Sequence, residues 1–211
     1  MSKAISIEQI IRQATNELKV SFSKYSLRIS AWEVFKTEMK SSLEEIKNYA
    51  KAFNYFEYLY VDDGSTKEGL NYISLRTGQH PVTFPKNREN KMAVEGNGCL
   101  MFSQAADGHV ICILYPYESD VKKSKIDYII YGIYNNTSDI FNKLPYIIEF
   151  FFLYLLKSSV YGSSDLKTNI KFHLNLLIHS QKIKNAFLNF FYEDVFKNLT
   201  NAIEKILPIF K

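Results

Sequence analysis

Four apolar, strand-like segments between residues 92 and 134 constrain the fold of this chain more than any other part of its sequence. The clearest pair spans residues 99–104 and 109–115, and the turn sequence Ala-Ala-Asp-Gly at 105–108 separates them. An Asp-Gly pair between two apolar runs rich in β-forming residues is a strong short-range hairpin signal. We therefore predict an antiparallel sheet at the centre of the protein, with helices around it.

Both alternating positions of the hairpin strands are apolar, which bears on how the sheet is covered. A hairpin that turns on Asp107-Gly108 would place Cys112 across from Ser103. One face would then hold Met101, Val110, Cys112 and Leu114, and the other would hold Leu100, Phe102, Ile111 and Ile113. A sheet with one wet face alternates apolar and polar residues instead, so we expect both faces to be covered.

Helical patterns precede and follow this sheet. A capping box at Ser6–Gln9 and a similar signal at Ser30–Glu33 predict two helices, near 6–20 and 31–54. Strands are predicted near 57–61, 70–75, 92–95 and 126–134, with a turn at 62–65 and loops at 76–91 and 118–125. Helices are predicted near 138–160, 165–180 and 183–207.

The order of these elements indicates one α+β domain over residues 1–211. It would comprise a helical part at 1–55, a mainly antiparallel sheet of about five strands at 56–135, and a helical part at 136–211. The chain contains 46% hydrophobic residues, enough for a packed core. No repeat or linker divides it.

Charge and cysteine content exclude several classes of protein. The net charge of +4 is spread without a block of like charge, and four of the 26 basic residues are arginine, so there is no strong nucleic-acid signal. Cys99 and Cys112 are expected to be buried thiols in a reducing, cytoplasmic compartment. The most apolar stretch, 144–156, is shorter than the roughly 20 residues that span a membrane, so membrane contact is the weaker alternative to a core helix.

The sequence Glu-Ser-Asp-Val-Lys at 118–122 is the nearest approach to a catalytic motif. Asp120 and Lys122 form an acidic-x-Lys pair, and Asp107 could add a second carboxylate for Mg²⁺, as in metal-dependent nucleases. The pair follows Pro116 in a polar loop rather than lying on a strand, and Asp107 is explained by its turn. We therefore assign no catalytic residues, with these three as candidates only.

The sequence contains little evidence of a metal or cofactor site. The four histidines form no pair at helical i, i+4 spacing, and no Cys-x-x-Cys is present, so we expect no metal site and no cofactor. A small-molecule or nucleotide pocket between the sheet and the C-terminal helices is an alternative. Its rim would be formed by Tyr115, Tyr117 and Lys122.

Aromatic residues surround the C-terminal helices instead of following one stripe. Phe150, Phe151, Phe190 and Phe191 belong to such clusters, which are typical either of a core or of an apolar surface completed by a partner. The leading hypothesis is a non-enzymatic interaction or regulatory subunit of a bacterial-type assembly, with anti-phage defence as one candidate setting. It would bind a protein partner or form a homo-oligomer. The sensor and the metal-dependent nuclease are the alternatives.

Overall fold

The computed structural model describes residues 6–55, 57–65, 69–85, 92–124 and 127–162, with side chains for all of these except 83–85. Within them the protein is an α+β fold of two helices and eight strands. In chain order these are α1 (Ile7–Ala52), β1 (Leu59–Ser65), β2 (Asn71–Thr77), β3 (Gln79–Pro85), β4 (Met92–Gly96), β5 (Cys99–Gln104), β6 (Val110–Tyr115), β7 (Glu118–Ser119), β8 (Ile129–Tyr134) and α2 (Ser138–Ser158).

Five strands form the main sheet, in the order β1-β2-β5-β6-β8, and every neighbouring pair is antiparallel. The prediction of an antiparallel sheet of about five strands between N-terminal and C-terminal helices is confirmed. A second sheet, β3-β4-β7, was not predicted. Its strand β3 occupies residues that we expected to form a loop, and it carries Pro81 and Pro85 at a sheet edge, where a missing N–H is tolerated.

The central hairpin has its predicted strands but a different register. Gly108 adopts a positive φ of 84°, and the Ala105 N–H donates to the His109 carbonyl at 2.8 Å. The loop therefore spans five residues, and the last strand pair is Gln104 with Val110. Cys112 lies opposite Phe102 and not opposite Ser103, so the predicted grouping of side chains by face was wrong.

The inner face of the main sheet is covered by both helices. Leu100, Phe102, Cys112 and Leu114 share this face and are buried. The Phe35 ring of α1 contacts Phe102 at 6.0 Å and Phe141 of α2 at 5.6 Å between ring centroids, so the two helices meet over the sheet. On the outer face Met101, Ile111 and Ile113 are only half-buried, which is less coverage than the sequence led us to expect.

Helix α1 is one continuous element of 46 residues, and the predicted break between residues 20 and 31 was wrong. The capping box at Ser6 is present, with Ser6 and Gln9 bonded to each other's backbone. At Ser30 no helix begins, because the preceding segment contains neither Gly nor Pro. Its serines bond locally within the helix, as Ser23 does to the Lys19 carbonyl at 3.0 Å.

The predicted turn at 62–65 is instead the end of β1. Its acidic residues are accommodated in an edge strand because Asp62 pairs with Arg76 at 2.9 Å and Asp63 pairs with Lys40 of α1 at 2.7 Å. The predicted helices at 165–180 and 183–207 lie outside the described residues. Across the residues that are described, neither helix combines the length and the apolar character needed to cross a membrane.

Candidate interaction surface and cleft

The N-terminal half of α1 extends beyond the folded domain. Residues 6–27 are all exposed, whereas Trp32, Phe35, Met39 and Leu43 are buried against the sheet and α2. Contact with the domain begins at Arg28, whose Nε donates to the Asp107 carbonyl at 2.9 Å. At 1.5 Å per residue the projecting part is about 30 Å long.

Apolar side chains follow one face of this projecting half, and we call them the α1 stripe. Its members recur at intervals of four, three, four, four, three and four residues, which keeps them on one side of a straight helix. They are Ile7, Ile11, Ala14, Leu18, Phe22, Tyr25 and Ile29. Exposure is high along it, at 77% for Ile7, 71% for Leu18 and 69% for Phe22. The same face continues into the core through Trp32.

A cleft of about 590 Å³ opens over the outer face of the main sheet. All three rim residues predicted from the sequence line it, namely Tyr115, Tyr117 and Lys122. Its remaining lining is mixed, with Cys99 and Met101 from the sheet, several short polar side chains, and charges of both signs. The structure thus brings these three side chains together around a space large enough for a small molecule.

Beneath the cleft, Tyr117 leads into a buried polar network. The Tyr117 hydroxyl donates to the Glu57 carboxylate, whose other oxygen lies 2.5 Å from His80 Nδ1. On the far side of the ring, His80 Nε2 lies 3.5 Å from Glu95 Oε1. The Ser159 hydroxyl donates to that same oxygen at 2.6 Å, immediately after α2. The network therefore connects the segment just before β1, the second sheet and the C-terminal end of α2.

Burial sets the protonation chemistry of this network. Removal of water raises the pKa of Glu57, although the Tyr117 hydroxyl and His80 act in the opposite direction. Burial also raises the pKa of Tyr117, and it raises the pKa of Tyr55, which bonds to Tyr117, to about 12. The two phenols therefore remain hydrogen-bond donors at neutral pH.

The three nuclease candidates do not converge. Asp107 lies in the loop between β5 and β6, and Asp120 directly follows β7, so β6, about 17 Å long, separates them along the chain. Asp120 Oδ2 accepts the Val94 N–H at 3.0 Å, and Lys122 Nζ donates to the Lys157 and Ser159 carbonyls at 3.1 and 2.7 Å. Asp107 Oδ1 accepts the His109 N–H at 3.1 Å, so all three side chains have structural contacts, and the metal-dependent nuclease stays a prediction. Among the described residues, no group of three or more His, Cys, Asp or Glu is placed to hold a metal ion.

The aromatic residues predicted as a partner interface fall into two groups. Phe150 and Phe151 are buried in the core, 2% and 0% exposed, and Phe150 packs on Tyr131 at 5.6 Å between ring centroids. They offer no surface to a partner in this conformation, because the apolar face they belong to is already filled. Phe190 and Phe191 lie outside the described residues.

Sequence reasoning missed two features of these sites. Phe22, Tyr25 and Ile29 were assigned to a connection between helices, although their spacing continues the N-terminal pattern and could have revealed the stripe. Glu57, His80 and Glu95 come from three separate segments, and no local spacing in the sequence predicts that they lie together.

In comparisons with known proteins, no family model, no curated protein and no solved structure matches this chain.

Proposed function

We propose that this protein is a non-enzymatic interaction subunit of a larger protein assembly, with the projecting half of α1 as its main interface. The observation that carries the proposal is the exposed α1 stripe. A run of large apolar side chains along one helix face is typical of a helix that binds another protein surface. Helix α1 is anchored in the core by Trp32, Phe35 and Met39, so the domain holds the stripe out at a defined angle.

The experiment compares two leucines that are almost equally exposed, 71% for Leu18 and 69% for Leu27. They are nine residues apart and thus face opposite sides of the helix. Tagged wild-type protein, Leu18→Glu and Leu27→Glu would be purified from the native host at moderately high salt and read by mass spectrometry. We expect a stoichiometric partner chain, of whatever identity, that is lost with Leu18→Glu and kept with Leu27→Glu. Equal partner content in all three preparations, or a partner in none, would overturn the proposal.

A small-molecule sensor is the second candidate, and the cleft favours it. Tyr117 lines the cleft, and its hydroxyl donates to Glu57, so an occupant could influence the buried network. A thermal-shift screen of nucleotides and metabolites would test this function. A ligand that raises the melting temperature of the wild type but not of Tyr115→Ala would support it, and no response across the screen would count against it.

The compartment belongs to the same proposal. Cys99 and Cys112 are both free, buried and on opposite faces of the main sheet. Two thiols kept apart in this way support the reducing, cytoplasmic setting expected from the sequence.

A further inference from the structure

We infer that the α1 stripe binds the α1 stripe of a second copy of this chain, antiparallel and centred on Leu18. This inference rests on the proposed function and specifies the partner. Three properties of the described residues support it: the exposed area of the stripe, the position of the domain relative to the stripe face, and the order of large and small side chains along the stripe.

The exposed area matches what a dimer needs. The six large side chains of the stripe expose on the order of 700 Å², close to the roughly 800 Å² that each partner buries in a standard protein interface. Because a two-fold interface uses the same patch on both chains, one stripe suffices for both halves of the contact.

The direction of pairing follows from the position of the domain. Trp32, Met39 and Leu43 carry nearly the same helix face into the core, so the sheet and α2 occupy the space beside the second half of α1. A parallel neighbour laid on the stripe would run into that space. An antiparallel neighbour centred on Leu18 ends with its Ile7 beside Ile29, where the domain begins.

The order of side chains suits the same arrangement. The spacing of the stripe reads identically in both directions from Leu18, so every member meets a member of the second copy. Ala14, the one small residue, lies opposite the large aromatic residue Phe22. In a parallel pair in register, Phe22 would meet Phe22 and Ala14 would meet Ala14. The first contact would be overcrowded and the second would leave a gap.

Light scattering and sedimentation of the full chain over a range of concentrations test the dimer. We expect a dimer for the wild type and for Leu27→Glu, and a monomer for Leu18→Glu, since a buried glutamate at the two-fold axis would face its own copy. Circular dichroism checks that all three proteins are folded. A monomeric wild type, or a dimer that Leu18→Glu leaves intact, would overturn the inference. A monomer that still captures a host partner through Leu18 would overturn the dimer and leave the proposed function standing.

Crosslinking tests the direction. Ala14→Cys and Phe22→Cys proteins, separately and mixed, would be treated with a short bis-maleimide. The native thiols are suitable bystanders, because Cys112 is inaccessible and burial raises the pKa of Cys99 to about 12. Antiparallel pairing predicts a crosslinked dimer in the mixture and none with Ala14→Cys alone. A dimer with Ala14→Cys alone would overturn the antiparallel arrangement.

Discussion

Glu57 has an environment unlike that of an ordinary surface carboxylate. Its side chain is 1% exposed, yet it accepts the Tyr117 hydroxyl and lies against His80. Because burial disfavours the charged form, the folded protein binds the Glu57 proton more tightly than the unfolded chain does. This carboxyl therefore links the stability of the two sheets to pH.

The sign of that link yields a prediction. Between the ordinary glutamate pKa of 4.5 and the raised pKa of folded Glu57, rising pH deprotonates the unfolded state first. The free energy of unfolding contributed by Glu57 should then fall as pH rises through this interval. Glu57→Gln should remove that contribution, and urea denaturation of both proteins from pH 3 to pH 8 would measure it.

Asp63 provides a control of opposite sign. Its hydrogen bond to Lys40 lowers the pKa of Asp63 below 3.8, so its contribution to stability is present above that value and lost as pH falls through the lowered pKa. Asp63→Asn should therefore lower the free energy of unfolding at pH values above 3.8 and match the wild type at the acidic end of the profile. Parallel profiles for the wild type and Glu57→Gln would contradict our account of Glu57.

At the scale of elements, the C-terminal end of α2 depends on a lysine from another part of the chain. The last carbonyls of a helix have no partner within it, and Lys122 Nζ supplies donors to those of Lys157 and Ser159. Since the same lysine lines the cleft, the helix end and the cleft wall share one side chain.

Lys122→Met should therefore lower the free energy of unfolding by about 1 kcal/mol, because it removes a charged donor from a helix C-terminus. The matched control is Lys123→Met, at an exposed neighbouring position that also lines the cleft. It should cost less than about 0.5 kcal/mol. Chemical denaturation compares the two, and equal losses would contradict the capping role of Lys122.

The sequence predicts some elements better than others, because some are defined by local contacts and others by contacts between distant parts of the chain. The strands of the central hairpin were predictable because neighbouring apolar runs and Gly108 define them locally. Their register was not, since it depends on the five-residue loop. Strand β3 was missed because its prolines indicate a loop, and only pairing with β4 makes it an edge strand. The expected rim residues Tyr115, Tyr117 and Lys122 are close in sequence and all line the cleft, whereas Glu57, His80 and Glu95 come from distant segments that only the fold brings together.

At the scale of the whole molecule, the two halves of α1 differ in burial. Its second half holds the core together and its first half carries the stripe. Phe35 and Phe22 represent the two halves with the same side chain, since Phe35 is 1% exposed and Phe22 is 69% exposed. Phe35 should therefore stabilise the fold of the single chain, whereas Phe22 should stabilise only the association of chains.

Phe35→Ala should lower the free energy of unfolding by about 3–5 kcal/mol at any protein concentration, because it leaves a cavity against Phe102 and Phe141. Phe22→Ala should leave the isolated domain within about 0.5 kcal/mol of the wild type and weaken only the concentration-dependent part of its stability. Denaturation at two protein concentrations separates these effects. A large, concentration-independent loss with Phe22→Ala would show that the first half of α1 belongs to the core.

The continuity of α1 also bears on how fast and how tightly its exposed half can associate. Starting a helix is its slow, unfavourable step, whereas extending one adds a hydrogen bond for each residue fixed. Packing of Trp32 and Phe35 in the core holds the second half of α1 in the helical state, so the residues before them need only extend that helix. A partner that binds the α1 stripe, as we propose, would meet an ordered surface. Association would then cost less conformational entropy than it would if this segment folded only on contact. Association should accordingly follow simple one-step kinetics, with rates set by encounter rather than by folding.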